Sequence, residues 1–362
     1  MLNRRQMFQL IILALAVGFA WLLGRNDAAL YKQPIAQVVA VKNLSNQSVT
    51  DEQGNEDRNK EQELTLRFLN RSGQMKVTNQ YYASQAMTEP YRKGDQVILS
   101  HQASGWQIVS LKRDALLAAL TVAVLGLMLI LVGRRTTSWI MLALLANSVL
   151  FAGAIFWDIT FKNVNVVVLF CALALLLAVV SLLIVLRFNW QALITCLSTI
   201  VATALAMIIM WLALLITGHE GVHFETMSYV TQVPVAVFYA QAVIGVLGAV
   251  MDETADIVAG LFGLAREPGQ RAFHEYWDAG RSVGKEILGT LINVLFMIFI
   301  AETLPMVILM LRNGNNWSYI LDQVMNLGIL QTVVSAIGIV LAVPVTSLLT
   351  ALILRERGGV EQ

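Results

Sequence analysis

The chain has 362 residues, 57% of them hydrophobic and only 14% charged, with a formal net charge of +1 and a mean hydropathy of +0.66. Soluble domains carry about 25% charged residues, so this chain has too few to cover a water-facing surface, and a near-neutral chain has nothing with which to collect nucleic-acid phosphates. An ordinary soluble enzyme, a disordered protein and a nucleic-acid binder are thereby excluded, leaving a polytopic membrane protein whose first partner is the lipid bilayer.

A spanning helix needs about 20 mostly apolar residues. The first such run, Met7–Leu23, follows the basic pair Arg4 and Arg5. Trp21, Leu22 and Leu23 stand where a cleaved signal peptide would carry small residues, so the run reads as an uncleaved anchor. Residues 25–113 break the apolar pattern. Short alternating runs at Ile35–Lys42, Glu63–Leu69, Gln74–Gln80, Asp95–Ser100 and Gly105–Lys112 predict strands, separated by turns such as Arg71-Ser72-Gly73, Lys93-Gly94-Asp95 and Ser104-Gly105. Five short strands suggest a small OB-like barrel outside the membrane. The polar stretch Ser45–Gln62 reads as a mobile loop. Seven more apolar runs follow: Ala115–Val132, Trp139–Phe156, Val166–Leu186, Ala192–Ile216, Val233–Met251, Ile287–Leu311 and Gly328–Leu354. The expected architecture is an all-α membrane bundle of eight helices with a small extracytoplasmic β domain. It divides into an anchor (1–24), the β domain (25–113) and a seven-helix membrane domain (114–362).

Lys and Arg collect on the cytoplasmic side of membrane proteins. If the N-terminus is inside, the inner segments hold Arg4, Arg5, Arg134, Arg135, Arg187, Arg266, Arg271, Arg281, Lys285, Arg355 and Arg357. The short outer loops hold Lys162 and Arg312. The bias predicts a multi-pass membrane protein with both termini on the cytoplasmic side. Cys171 and Cys196 both sit in apolar runs and form no disulfide framework.

Charged and polar groups inside spans are costly and therefore point to function. Asp252 and Asp256 end the sixth run, four residues apart, after Gly245 and Gly248, which are spaced for close helix approach. Arg281 and Lys285 open the seventh run, followed by Gly289 and Asn293. Glu302 lies three residues before Pro305, and Gly338 precedes Pro344 in the eighth run; each proline is expected to interrupt its helix. Asp252 is expected near the Arg281–Lys285 segment as the polar gate of a cytoplasmic vestibule, and to matter more than its neighbour Glu253. The alternatives are solvated helix ends and a packing seam.

His219-Glu220-Gly221-Val222-His223 satisfies the H-E-x-x-H zinc-protease pattern, which requires both histidines on one helix. Gly218 and Gly221 interrupt any helix there, and no third ligand follows at a usual spacing. Neither a metal nor another cofactor is expected, nor an enzyme.

Ile244–Asp252, Gly284–Asn293, Leu304-Pro305 and the stretch from Ile337-Gly338 to Val343-Pro344-Val345-Thr346 resemble, in order and spacing, the YibE/F family of bacterial multi-pass membrane proteins. The histidine pair is not part of that pattern. The resemblance implies a membrane protein and is compatible with a permease for an unknown small solute, or an auxiliary subunit of one. A scaffold or sensor that binds a protein partner through the outer domain is the second reading, and a metal-dependent hydrolase a distant third. Whether the chain assembles with copies of itself stays open.

Overall fold

The computed structural model describes residues 4–50, 54, 56–85, 88–102, 105–161, 164–227, 233–268 and 271–358. Ser104 and Lys162, named above, lie outside these. Two compact units are present, Met1–Thr137 and Ser138–Gln362.

In the first unit, helices α1 (Arg4–Arg25) and α2 (Asp114–Leu131) pack side by side. Glycine permits the close approach at both ends of the pair. A Cβ at Gly24 would lie 2.8 Å from the Ala115 Cα, and one at Gly126 would overlap Leu13. Between these helices the chain forms β1 (Ile35–Thr50), β2 (Glu56–Phe68), β3 (Gln74–Tyr82), β4 (Gln96–Gln102) and β5 (Gly105–Leu111), an antiparallel sheet in the order β3-β2-β1-β4-β5. Alternation puts Ala36, Val38, Leu64, Leu66, Val97 and Leu99 on one face, where they form its core. The edge strands β3 and β5 do not pair, so the expected barrel is not closed. Met75–Asn79 and Trp106–Ile108 line a cleft of about 610 Å³ between them.

The described residues of the stretch Ser45–Gln62, 45–50, 54 and 56–62, do not form a mobile loop. β1 runs on to Thr50 and β2 begins at Glu56, pairing Asn46 with Lys60 and Thr50 with Glu56; residues 51–53 and 55 lie outside the described ones. Strand hydrogen bonds come from the backbone, so a ribbon of polar residues needs no apolar alternation. The sequence pattern reports apolar burial, which this ribbon lacks, its one buried residue being Gln62.

The base of the β domain is tied to the helix pair by Lys112, whose side chain is 1% exposed. Its Nζ lies 2.5 Å from Asp27 Oδ1 and 3.2 Å from Asp114 Oδ2, donates to the Gly24 carbonyl and stands 5.6 Å from the centre of the Tyr31 ring. Tyr31 donates its hydroxyl to Asp114, and that bond, with burial and the nearby carboxylates, pushes its pKa up to about 12.

The second unit begins within α3 (Arg134–Thr160) and contains α4 (Val166–Leu186), α5 (Trp190–Ile216), α6 (Pro234–Ala265), α7 (Phe273–Arg312) and α8 (Asn326–Gly358). Asn165 and Asn189 cap α4 and α5, accepting from the Val168 and Ala192 N–H groups at 3.3 and 2.7 Å. α8 is central and packs against α5, α6 and α7. The α7–α8 pair keeps one antiparallel register. Cβ atoms at Gly280, Gly284 and Gly328 would meet Ser347, Val343 and Phe299, so each advance along α7 is matched by the same retreat along α8.

α6 and α7 outrun their apolar stretches, reaching 32 and 40 residues. At about 1.5 Å per residue both exceed a ~30 Å hydrocarbon core, so part of each stands outside it. α7 and α8 run through Pro305 and Pro344 without the expected interruption. One proline removes a single N–H, which a bundle tolerates. The irregularity lies instead at Ile320–Met325, a π-helical segment leading into α8.

Candidate functional site

α5, α6 and α8 share an apolar core built from residues mostly four apart: Ala202, Ala206 and Met210; Phe238, Ala242, Val246 and Val250; Val334 and Ala342. Gly338 completes the α8 stripe. A Cβ there would lie 2.8 Å from methyl groups of both Val246 and Val250 and 3.6 Å from Ala206. One turn further, all three stripes become polar together. They continue as Ser198 and Thr199 on α5, Glu253 and Thr254 on α6, and Thr346 and Thr350 on α8, each of them 0% exposed. The Thr199 and Thr254 hydroxyls are hydrogen-bonded at 2.7 Å, which fixes the level of α5 against α6. Glu253 lies on the line of Val246, which touches α8 at Gly338, and of Ile257, which clusters with Val343 and Tyr276.

Helical hydroxyls commonly turn back on their own helix. Thr195 donates to the Gln191 carbonyl and Thr199 to that of Thr195, both at 2.8 Å. Others in the layer do not. The hydroxyls of Ser198, Thr203, Thr346 and Thr350, and both carboxyl oxygens of Glu253, are buried without a hydrogen-bond partner in the protein. Ser347 is also unpaired, but it faces Gly280 on α7. An ionised carboxylate buried without a counter-ion costs several kcal/mol, so Glu253 either holds a proton or keeps company with a cation.

Other sequence-predicted residues fall elsewhere. Asp252 and Asp256 are exposed. Their positions turn the side chains away from the buried line, since one residue is about 100° of helix. Arg281 and Lys285 are exposed as well, and Arg281 stands 5.7 Å from the centre of the Trp277 ring. Among the described residues no ion pair joins Asp252 or Asp256 to Arg281 or Lys285. Asn293 donates to the Gly289 carbonyl of its own helix at 2.8 Å, and Glu302 is exposed. Of the glycines, Gly245 meets the Gln331 amide, while Gly248 and Gly289 face open space. The close contact on α7 comes from Gly280 and Gly284 instead. The buried acid is therefore Glu253, one residue on from the expected Asp252. The signal was present, because Val246, Val250, Glu253, Ile257 and Leu261 repeat at spacings of three and four.

The H-E-x-x-H stretch is a turn. Gly218, His219 and Gly221 have φ of +60°, +65° and +72°, which breaks the helix that two-ligand geometry requires. Among the described residues no group of three or more His, Cys, Asp or Glu could hold a metal. His223 instead lies between two acids, its Nδ1 2.9 Å from Glu225 and its Nε2 3.1 Å from Asp322 in the π-helical segment. Asn326 donates to the Gly221 carbonyl at 2.7 Å, so the turn is tied twice to the start of α8. The Glu225 hydrogen bond, with the charge of Asp322, raises the His223 pKa above its ordinary value. A raised folded pKa adds stability that is fully present below the unfolded value, about 6.5, and lost as pH rises through the folded one. His223→Phe is therefore expected to lower the melting temperature at about pH 5.5 and to leave it near wild type at about pH 9. A deficit that is the same at both would mean that the protonated imidazole contributes nothing.

The described residues hold eight helices long and apolar enough to cross a membrane, with a five-stranded sheet between the first two. They define a polytopic α-helical membrane protein. The chain belongs to the YibE/F-like protein family, matching it over residues 121–356, and it matches the YibE/F family N-terminal domain over residues 29–111. No curated protein and no solved structure matches it.

Proposed function

We propose that this protein is a permease for a small solute, or the membrane subunit of one, seated in the bacterial cytoplasmic membrane with both termini inside. The observation that carries the reading is the polar layer of α5, α6 and α8, where a carboxyl group and several hydroxyls lack protein partners at the centre of an apolar bundle. A scaffold gains nothing from such a layer, because apolar residues of the same volume would pack as well without desolvating it. A carrier needs polar groups that can exchange protein contacts for solute or ion contacts.

The test needs no knowledge of the solute. In a chain with Cys171 and Cys196 replaced by Ala, Ser198→Cys is expected to react with a small membrane-impermeant thiol reagent from either face of sealed vesicles, as alternating access requires. Lys60→Cys should react only from the outer face, which checks orientation. Labelling of position 198 from neither face would remove the permease reading and leave the scaffold.

A further inference from the structure

We propose that Glu253, with Ser198 of α5 and Thr346 of α8, forms a site for one small monovalent cation, carried either as a proton on the carboxyl group or as a sodium ion held by carboxylate and hydroxyl oxygens. The inference deepens the permease reading by naming the coupling ion, but the binding it claims stands or falls separately from transport.

Three observations converge. First, Glu253 is completely buried with both oxygens unpaired, and Ser198 and Thr346 bring buried, unpaired hydroxyls from two other helices at the same level. Second, the layer lies between apolar seals. Val250 and Ala342 close one side, and Ile257 and Leu261 with Tyr276 of α7 close the other. A charge in that position is compensated locally or not at all. Third, among the described residues no side chain supplies the compensation. α4 and α5 carry only the thiols Cys171 and Cys196, and the charged residues of α8, Arg355, Glu356 and Arg357, are confined to its last turn. On α6, Asp252 and Asp256 are exposed, and on α7 so are Asp278, Arg281, Lys285 and Glu286. None of these forms an ion pair with Glu253.

The donor set defines the charge. One carboxylate among neutral hydroxyl oxygens balances a single positive charge. A divalent ion would ask for more carboxylates and zinc for nitrogen or sulfur ligands, neither of which is in the layer.

The test uses the purified full-length protein in detergent, melted at constant ionic strength with sodium exchanged for choline, and then across pH in choline alone. If sodium is the ion, wild type should gain about 5 °C in melting temperature at saturating sodium. Glu253→Gln should lose that gain, and Thr346→Val should weaken the apparent affinity about tenfold. If the proton is the ion, sodium should have no effect. Wild-type stability should then fall as pH rises and the buried acid ionises, whereas Glu253→Gln should lack that fall. Thr346→Val keeps the acid and guards against a Gln variant that simply misfolds. Identical sodium and pH responses in wild type and Glu253→Gln would overturn the proposal. Ion binding with position 198 labelled from neither face would leave the site standing and remove the permease.

Discussion

Replacing Lys112 by Met is expected to cost about 3–5 kcal/mol of stability at the base of the β domain, the usual penalty for removing one partner of a buried ion pair. Lys112 is nearly inaccessible, and Met fills its volume while leaving Asp27 and Asp114 without their cation and the Gly24 carbonyl without its donor. The two acids are 22% and 33% exposed, so water recovers part of the loss and the lower end of the range is expected. Hydrogen exchange of the strand amides near Val38 and Val97 reads the effect without requiring the whole chain to unfold. Lys112→Met combined with Asp27→Asn should recover part of it, because the double variant no longer strands that carboxylate. Equal protection in wild type and Lys112→Met would show that the helix pair and the β domain hold together by packing alone.

Gly284→Val is expected to destabilise the second unit by about 3 kcal/mol or more, whereas Gly289→Val should change little. Both glycines lie on α7, five residues apart, and their surroundings differ completely. A Cβ at Gly284 falls 2.6 and 2.7 Å from the two methyl groups of Val343, while one at Gly289 meets nothing within 4 Å. The offending methyls belong to a residue clustered with Ile257, Leu261 and Tyr276, so it has little freedom to yield. Thermal unfolding of the two variants in the same detergent makes the comparison. Equal melting temperatures would mean that α7 and α8 separate more easily than their glycine register implies.

The contrast between Gly284 and Gly289 shows where a linear reading runs out. Both sit in the same family-like stretch and look equally suited to helix contact. Which of them touches α8 depends on the rotation of α7 about its axis, and that is set by contacts with residues far away in the chain. The same limit governs the acids. Asp252, Glu253 and Asp256 follow one apolar run, yet only Glu253 continues the line of Val246 and Val250 into the interior. The periodicity of α6 could have singled it out. The convergence of Ser198, Thr346 and Glu253 could not have been found that way, because it requires α5, α6 and α8 to meet at one level.

Hydrophobicity by itself determined the membrane class, the eight spans and the position of the β domain, because burial in lipid is a property of each segment separately. Alternation located all five strands wherever one face was buried. Glycines at Gly218 and Gly221 were sufficient to predict that the H-E-x-x-H stretch is not a helix, since helix disruption is local. Only the tertiary structure decided that Ser45–Thr50 pairs with Glu56–Glu61 as a ribbon, that Lys112 is a buried clasp, that His223 joins its turn to the start of α8, and that the acid inside the bundle is Glu253. Each of these depends on a partner distant in sequence. A pattern along the chain records which residues avoid water, and leaves open which neighbour they find when they do.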